Sequence, residues 1–180
     1  MPEPTEIKSE NITIRLNSDL LQLLRSYAKT KNASLNSTIT SLLIHSINWD
    51  VPAARAGWVP LPKRILMAII DEFDEKTIQK LAEHVGRTIP REVSITMRGK
   101  ISVKEWVSIL KDRANASGFS YQEQEEGNAI KFITKHDMGM KWSLWFKTFY
   151  GTYFSEIGCK PRFTITDNTI VYEIDKKDIH

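Results

Sequence analysis

A single cysteine, Cys159, stands among 180 residues. One thiol cannot close an internal disulfide or supply a cysteine cluster for a metal ion. No apolar run approaches the roughly 20 residues that a membrane-spanning helix needs. The start, MPEPTEIKSE, is polar and acidic, where a signal peptide is basic and then apolar. The expectation is a cytoplasmic protein with no membrane contact. A charge excess is missing as well: 25 Lys and Arg face 22 Asp and Glu, a net charge of +3. That balance is too weak to indicate nucleic-acid binding, so such a reading has to rest on where individual side chains fall. Also absent are a glycine-rich phosphate loop, paired carboxylates and any nucleophile–base arrangement, so no catalytic residue and no enzyme activity are expected. His45, His84, His136, His180 and Cys159 show no ligand spacing. Neither a metal site nor another cofactor is expected. No internal repeat and no low-complexity tract is evident.

A hydrophobic content of 41% with 26% charged residues suits a folded, soluble chain. Residues 1–9 are polar and proline-containing and are expected to form a flexible arm. NITIRLN, at 11–17, then alternates, with Ile12, Ile14 and Leu16 on one face and Asn11, Thr13 and Arg15 on the other. A lone strand leaves its backbone groups unpaired. It is therefore either the edge of a larger sheet or one half of a ribbon completed by a second copy of the chain. Two helices follow. NSDLLQLLRSYAKTKN places Leu20, Leu21, Leu24, Tyr27 and Ala28 at helical spacing behind the cap candidates Asn17 and Ser18. Asn32 suits a left-handed C-cap position. Ser34 is placed to cap LNSTITSLLIHSINW, in which Ile39, Leu42, Leu43, Ser46 and Ile47 share a face.

Residues 10–49 resemble a ribbon-helix-helix domain of the Arc, MetJ and CopG type. The strand alternation, the helix start at LNSDLL, the short break and the Ser-led second helix carry the resemblance. It implies an intertwined homodimer, with pairing of dimers into tetramers left open. It also implies double-stranded DNA as the partner, with the two-stranded ribbon in the major groove. By position, Asn11, Thr13 and Arg15 would read base edges. Arg15 can pair with guanine O6 and N7, Asn11 with adenine N6 and N7, and Thr13 can bond either way or touch a thymine methyl. The start of the second helix, Ser34, Leu35 and Asn36, would hold a phosphate, with Lys29, Lys31 and Lys8 adding contacts. Two departures stand out. Asn32 and Ala33 occupy the turn where the family commonly carries glycine, and residues 1–60 hold six Lys or Arg against five Asp or Glu.

The stretch at 50–61 holds prolines and a glycine without a clear period and reads as a linker. Beyond it, residues 62–180 are expected to form an α+β domain. Two helices come first: KRILMAIIDEF, with Pro62 at its first turn, and EKTIQKLAEHVGRTI, capped by Asp74. EVSITMRG then reads as a strand and SVKEWVSILKDRANASG as a helix. FSYQEQEEGNAIKFITKHD gives two strands, and MGMKWSLWFKTFYGTYFSEIG an aromatic helix with Asp137 as its cap. PRFTITDNTIVYEID gives two more strands. The order is βαββαβ plus one strand, the ferredoxin-like pattern. Gly151 inside the aromatic helix is expected at a close helix contact. The aromatic helix reads as buried or as an interface. The sharper alternative is a ligand pocket between helix and sheet lined by Trp106, Trp142, Trp145 and Phe149. The expected protein is a DNA-binding transcriptional regulator whose second domain mediates oligomerisation or senses a small-molecule effector. The alternative is an antitoxin-like or other partner-binding protein with an autoregulatory DNA-binding head.

Overall fold

The side chain of Asn17 starts the first helix, its Oδ1 accepting a hydrogen bond from Leu20 N at 2.8 Å. In the computed structural model, which describes residues 10–179, that helix is α1 (Ser18–Thr30). It ends where Asn32 adopts the left-handed conformation (φ 51°) and Ala33 N returns to Ala28 O at 3.0 Å. Asparagine tolerates that conformation better than other residues with a Cβ. Two residues on, Ser34 Oγ accepts from Ser37 N at 3.0 Å and opens α2 (Leu35–His45). The chain divides into two compact units between Ile44 and His45. In the first, residues 11–17 form no strand ladder within the single chain. The arm at 1–9 lies outside the described residues.

The second unit begins with a π-helical turn at Ser46–Asp50 and a short helix α3 (Val51–Arg55). The segment read as a linker is therefore folded. Ala53 is buried in the core and Trp49 packs on Trp58 at 5.3 Å. Next come α4 (Lys63–Asp71) and α5 (Glu75–Gly86), the latter capped by Asp74 Oδ1 on Thr77 N at 2.7 Å. The expected strand EVSITMRG is instead the body of α6 (Ile89–Arg98). Its β-branched residues favour a strand. However, Pro90 sits in a first helical turn, and Val93, Ser94 and Met97 bury at helical spacing. Gly99 closes α6 at φ 68°.

After α6 the order is α7 (Val103–Ala116), β1 (Ser120–Glu126), β2 (Ala129–Lys135), α8 (Met140–Glu156), β3 (Arg162–Ile165) and β4 (Thr169–Asp175). The fold is α+β. Its sheet runs β1-β2-β4-β3 with every pairing antiparallel. The βαββαβ pattern thus loses its first strand, and the remainder is two αββ units in tandem.

The two units repeat without a gap. Gly118 and Gly158, Asn128 and Asn168, Ile130 and Ile170, and Phe132 and Tyr172 each stand forty positions apart. Both glycines end their helices with left-handed backbone, at φ 66° and 80°. His136 N bonds Asn168 O at 2.9 Å, and Lys176 N reciprocates on Asn128 O at 2.8 Å. Phe132 and Tyr172 are register partners and stack at 5.0 Å. The halves are thus related by a pseudo-two-fold axis through the β2–β4 pair. Few residues are identical between the halves, so no repeat stands out in the sequence.

One face of the sheet buries Phe132, Ile170, Tyr172 and Ile174 in a core shared with Trp106 and Ile109 of α7 and with Phe146, Tyr153 and Phe154 of α8. The other face carries a row of charges, Lys131 with Glu126 and Glu173, and Arg162 with Glu173. The close helix approach expected at Gly151 lies elsewhere. A Cβ on Gly151 would meet only the Phe163 ring, at 3.5 Å, whereas one on Gly86 would lie 3.0 Å from Phe149 O and from Thr152 Cβ. Gly86 therefore sets how closely α5 approaches α8. Gly86→Val should destabilise the chain by about 1–3 kcal/mol through overpacking. Gly151→Ala should be neutral or stabilise by up to about 1 kcal/mol through helix propensity. Urea unfolding of the two variants checks this, and equal effects would refute it.

Candidate nucleic-acid interface

In the first unit, Asn11, Thr13 and Arg15 are exposed, as are Lys29 and Lys31. Lys31 Nζ lies 5.7 Å from the centre of the Tyr27 ring. Lys8 lies outside the described residues. The residues between the candidate readers are exposed too: Ile12 retains 75% of its surface and Ile14 53%. Of the apolar side of the alternation, Leu16 is half-buried and Ile12 and Ile14 are uncovered in the single chain. The same holds for Leu20, Leu23, Tyr27, Leu42, Leu43 and Ile44, while Ala28 and Thr38 are the buried residues of α1 and α2.

At the start of α2, Ser34 supplies the cap, and the N–H groups of Leu35 and Asn36 belong to the first turn. No acidic residue stands there. A helix N-terminus of this kind carries the positive end of the helix dipole and unpaired N–H groups. The three residues are thus brought together with a polarity that suits an anion, and Asn11, Thr13 and Arg15 share one exposed segment.

The expected aromatic pocket is divided by the structure. Trp106 is 2% exposed, a core residue set edge-on to Tyr153 at 4.9 Å. Phe149 stacks on Trp145 at 6.3 Å. Trp142 and Trp145 do line a groove of about 230 Å³, but it lies against α4 and α5 rather than the sheet. Leu66, Ile69, Phe73 and Leu81 form its other walls. The four residues therefore do not make one site: Trp106 is sealed in the core against Phe149, Tyr150 and Tyr153, and neither it nor Phe149 lines the groove.

His136 raises the question of catalysis, since its Nε2 lies 2.9 Å from Ser143 Oγ. The polarity is wrong for activating a nucleophile. Met138 N donates to Nδ1 at 3.1 Å, so the ring proton sits on Nε2 and is donated to Ser143. The hydroxyl of Ser143 in turn donates to Thr166 O at 2.5 Å. A base would have to accept from the serine. His136 instead joins the end of β2 to the first turn of α8. The expected cap, Asp137, takes left-handed backbone (φ 56°), and Gly139 precedes the helix. Cys159 is buried, and desolvation pushes its thiol up to about 11, which leaves little thiolate at neutral pH. Among the described residues no group of three His, Cys, Asp or Glu is placed to hold a metal ion, and no helix is long and apolar enough to cross a membrane.

A polar cleft of about 500 Å³, not foreseen from the sequence, is bounded by the π-helical turn, α3, α6 and α7. An ion pair between Arg98 and Asp112 lies at its floor. Reading α6 as a strand concealed the placement of Arg98, and nothing local links it to Asp112.

No model of a known protein family matches the chain, and no curated protein is significantly similar to it.

Burial of His136 gives a pH dependence. Desolvation, with smaller effects of Lys63 and Arg113, pushes the imidazole down to about 4 against the pull of Asp137. The unfolded chain takes up this proton near pH 6.5, the folded chain only near 4. The contribution is therefore complete above about pH 6.5 and is lost as pH falls toward 4. It amounts to roughly 3 kcal/mol over that window. Thermal unfolding between pH 7 and 4 should show a steeper loss for the native chain than for His136→Gln; parallel profiles would exclude His136 as the titrating group.

Proposed function

We propose that the chain is a sequence-specific DNA-binding transcriptional regulator that acts as a homodimer through residues 10–49. The observation that carries this reading is the uncovered apolar surface of the first unit. A helical hairpin that buries little more than Ala28 and Thr38 has no core of its own. Each Ile or Leu fully covered contributes about 1.5–3 kcal/mol, so a second copy supplies what the single chain lacks. Antiparallel pairing of segment 11–16 with its copy would satisfy the backbone and cover Ile12 and Ile14. Asn11, Thr13 and Arg15 then stay on the outer face, where the ribbon enters the major groove. The α2 N-terminus, with Ser34 as cap and with Lys29 and Lys31, engages phosphates and sets register. The second unit serves oligomerisation or effector sensing, and the site of action is the cytoplasm.

A second reading, capture of another protein, is favoured by the exposed apolar groove at Ile69, Phe73 and Leu81. Co-purification of a stoichiometric partner from the native source would support it over an autonomous regulator.

The test is to map the DNA bound by the full chain and to titrate the best site in a gel-shift experiment. Arg15→Ala should cost about 1–3 kcal/mol on that site and relax its sequence preference, while Ser34→Ala should weaken all sites more evenly. Unchanged binding by Arg15→Ala, with the chain dimeric by sedimentation, would overturn the groove readout. A monomeric native chain would overturn the ribbon itself.

A further inference from the structure

Ser108 and Asp112 of α7 stand forty positions before Thr148 and Thr152 of α8. On α8 this face is closed: Thr152 is the residue that a Cβ on Gly86 of α5 would strike. On α7 the equivalent face is open, as the cleft of about 500 Å³. That volume is typical of small-molecule sites. Its polar groups come from Asn48, Arg55, Thr96, Arg98, Ser108 and Asp112.

Arg98 is already committed. Its Nη1 donates to Asn48 O at 3.1 Å and Met97 O at 3.3 Å, and its Nη2 to Asp112 Oδ2. The pair is 14% and 23% exposed, so it forms a floor that a ligand can still reach. The second carboxylate oxygen of Asp112 takes no hydrogen bond from the described residues, and the Ser108 hydroxyl is likewise unengaged. Arg55, exposed on the wall, has no ion-pair partner among the described residues. The cleft therefore offers an acceptor that lacks a donor, beside a cation that lacks an anion. One wall is a π-helical turn, a feature frequent at functional sites.

We propose that this cleft binds a small zwitterion of the amino-acid class, its ammonium on Asp112 and Ser108 and its carboxylate on Arg55. Charge-assisted hydrogen bonds at both ends supply the affinity, and the fork of an arginine suits a carboxylate. Burial pushes the Asp112 carboxyl up even though Arg98 pulls it down, so an added ammonium relieves a desolvated anion. Every lining residue belongs to the second compact unit, although Ile47 and Asn48 also end the segment 10–49, and the proposal does not rest on DNA binding.

The test is isothermal titration of the full chain with the common L-amino acids, one at a time. Succinate and putrescine serve as probes carrying only one sign of charge. At least one amino acid should bind, and neither control should match it. Arg55→Glu, on an exposed position, should weaken that binding by about tenfold or more without lowering Tm, and Ser108→Ala should weaken it less. The proposal is overturned if no amino acid binds at millimolar concentration, if either control binds as tightly, or if Arg55→Glu leaves the affinity unchanged.

Discussion

Antiparallel pairing of β2 with β4 is the constraint on which the second unit depends. It joins the two αββ halves, sets Phe132 on Tyr172 at the pseudo-axis, and puts Ile130, Ile170 and Ile174 on the face that α7 and α8 cover. A one-residue slip of either strand would turn its own members of this set to the charged face. The reciprocal hydrogen bonds of His136 and Lys176 to Asn168 and Asn128 close the pairing at both ends. Their equivalence shows that the register obeys the repeat as well as the hydrophobic pattern. The outer strands β1 and β3 add to this pair, and β1 blunts its open edge with Glu123, Glu125 and Glu126.

The first unit is built on a different constraint, the caps. Asn17 and Asn32 fix where α1 begins and ends and Ser34 fixes where α2 begins, each through geometry within a few residues. Such local chemistry defines the hairpin without giving it a core. Leu20, Leu23, Tyr27, Leu42, Leu43 and Ile44 stay exposed, as do Ile12 and Ile14 beside Asn11, Thr13 and Arg15. Short-range signals can be complete while the unit that uses them is not.

The same distinction explains what was readable in advance. The caps Asn17, Ser34 and Asp74, the α+β class and most element positions follow from neighbours in the chain. The misread elements are those that packing decides. EVSITMRG has strand propensity and becomes helical because Val93 and Met97 face a core built from residues far along the chain. Segment 50–61 has a linker's composition and folds because Ala53 and Trp58 find that core. Of the four aromatic residues grouped in advance, Trp142 and Trp145 do share a groove. Helical position alone could not show that Trp106 is sealed in the core instead. The helix start at Ser34 was legible because its cap is local, whereas the Arg98–Asp112 pair depends on two helices meeting.

The repeat also shows where the two halves have parted. Equivalent core positions keep their character: Trp106 and Phe146, Leu110 and Tyr150, and Ala114 and Phe154 are all buried. The outer faces do not. Thr152 on α8 meets a glycine of α5 at the limit of close packing, while its counterpart Asp112 on α7 is an acid paired with Arg98 beside open space. Removing one member of a partly buried ion pair leaves the other uncompensated, a cost of several kcal/mol. Plain packing would have been available to α7, as α8 demonstrates. The pair ties α6 and the π-helical turn to α7, while beside it remains the space that the close α5–α8 contact does not leave.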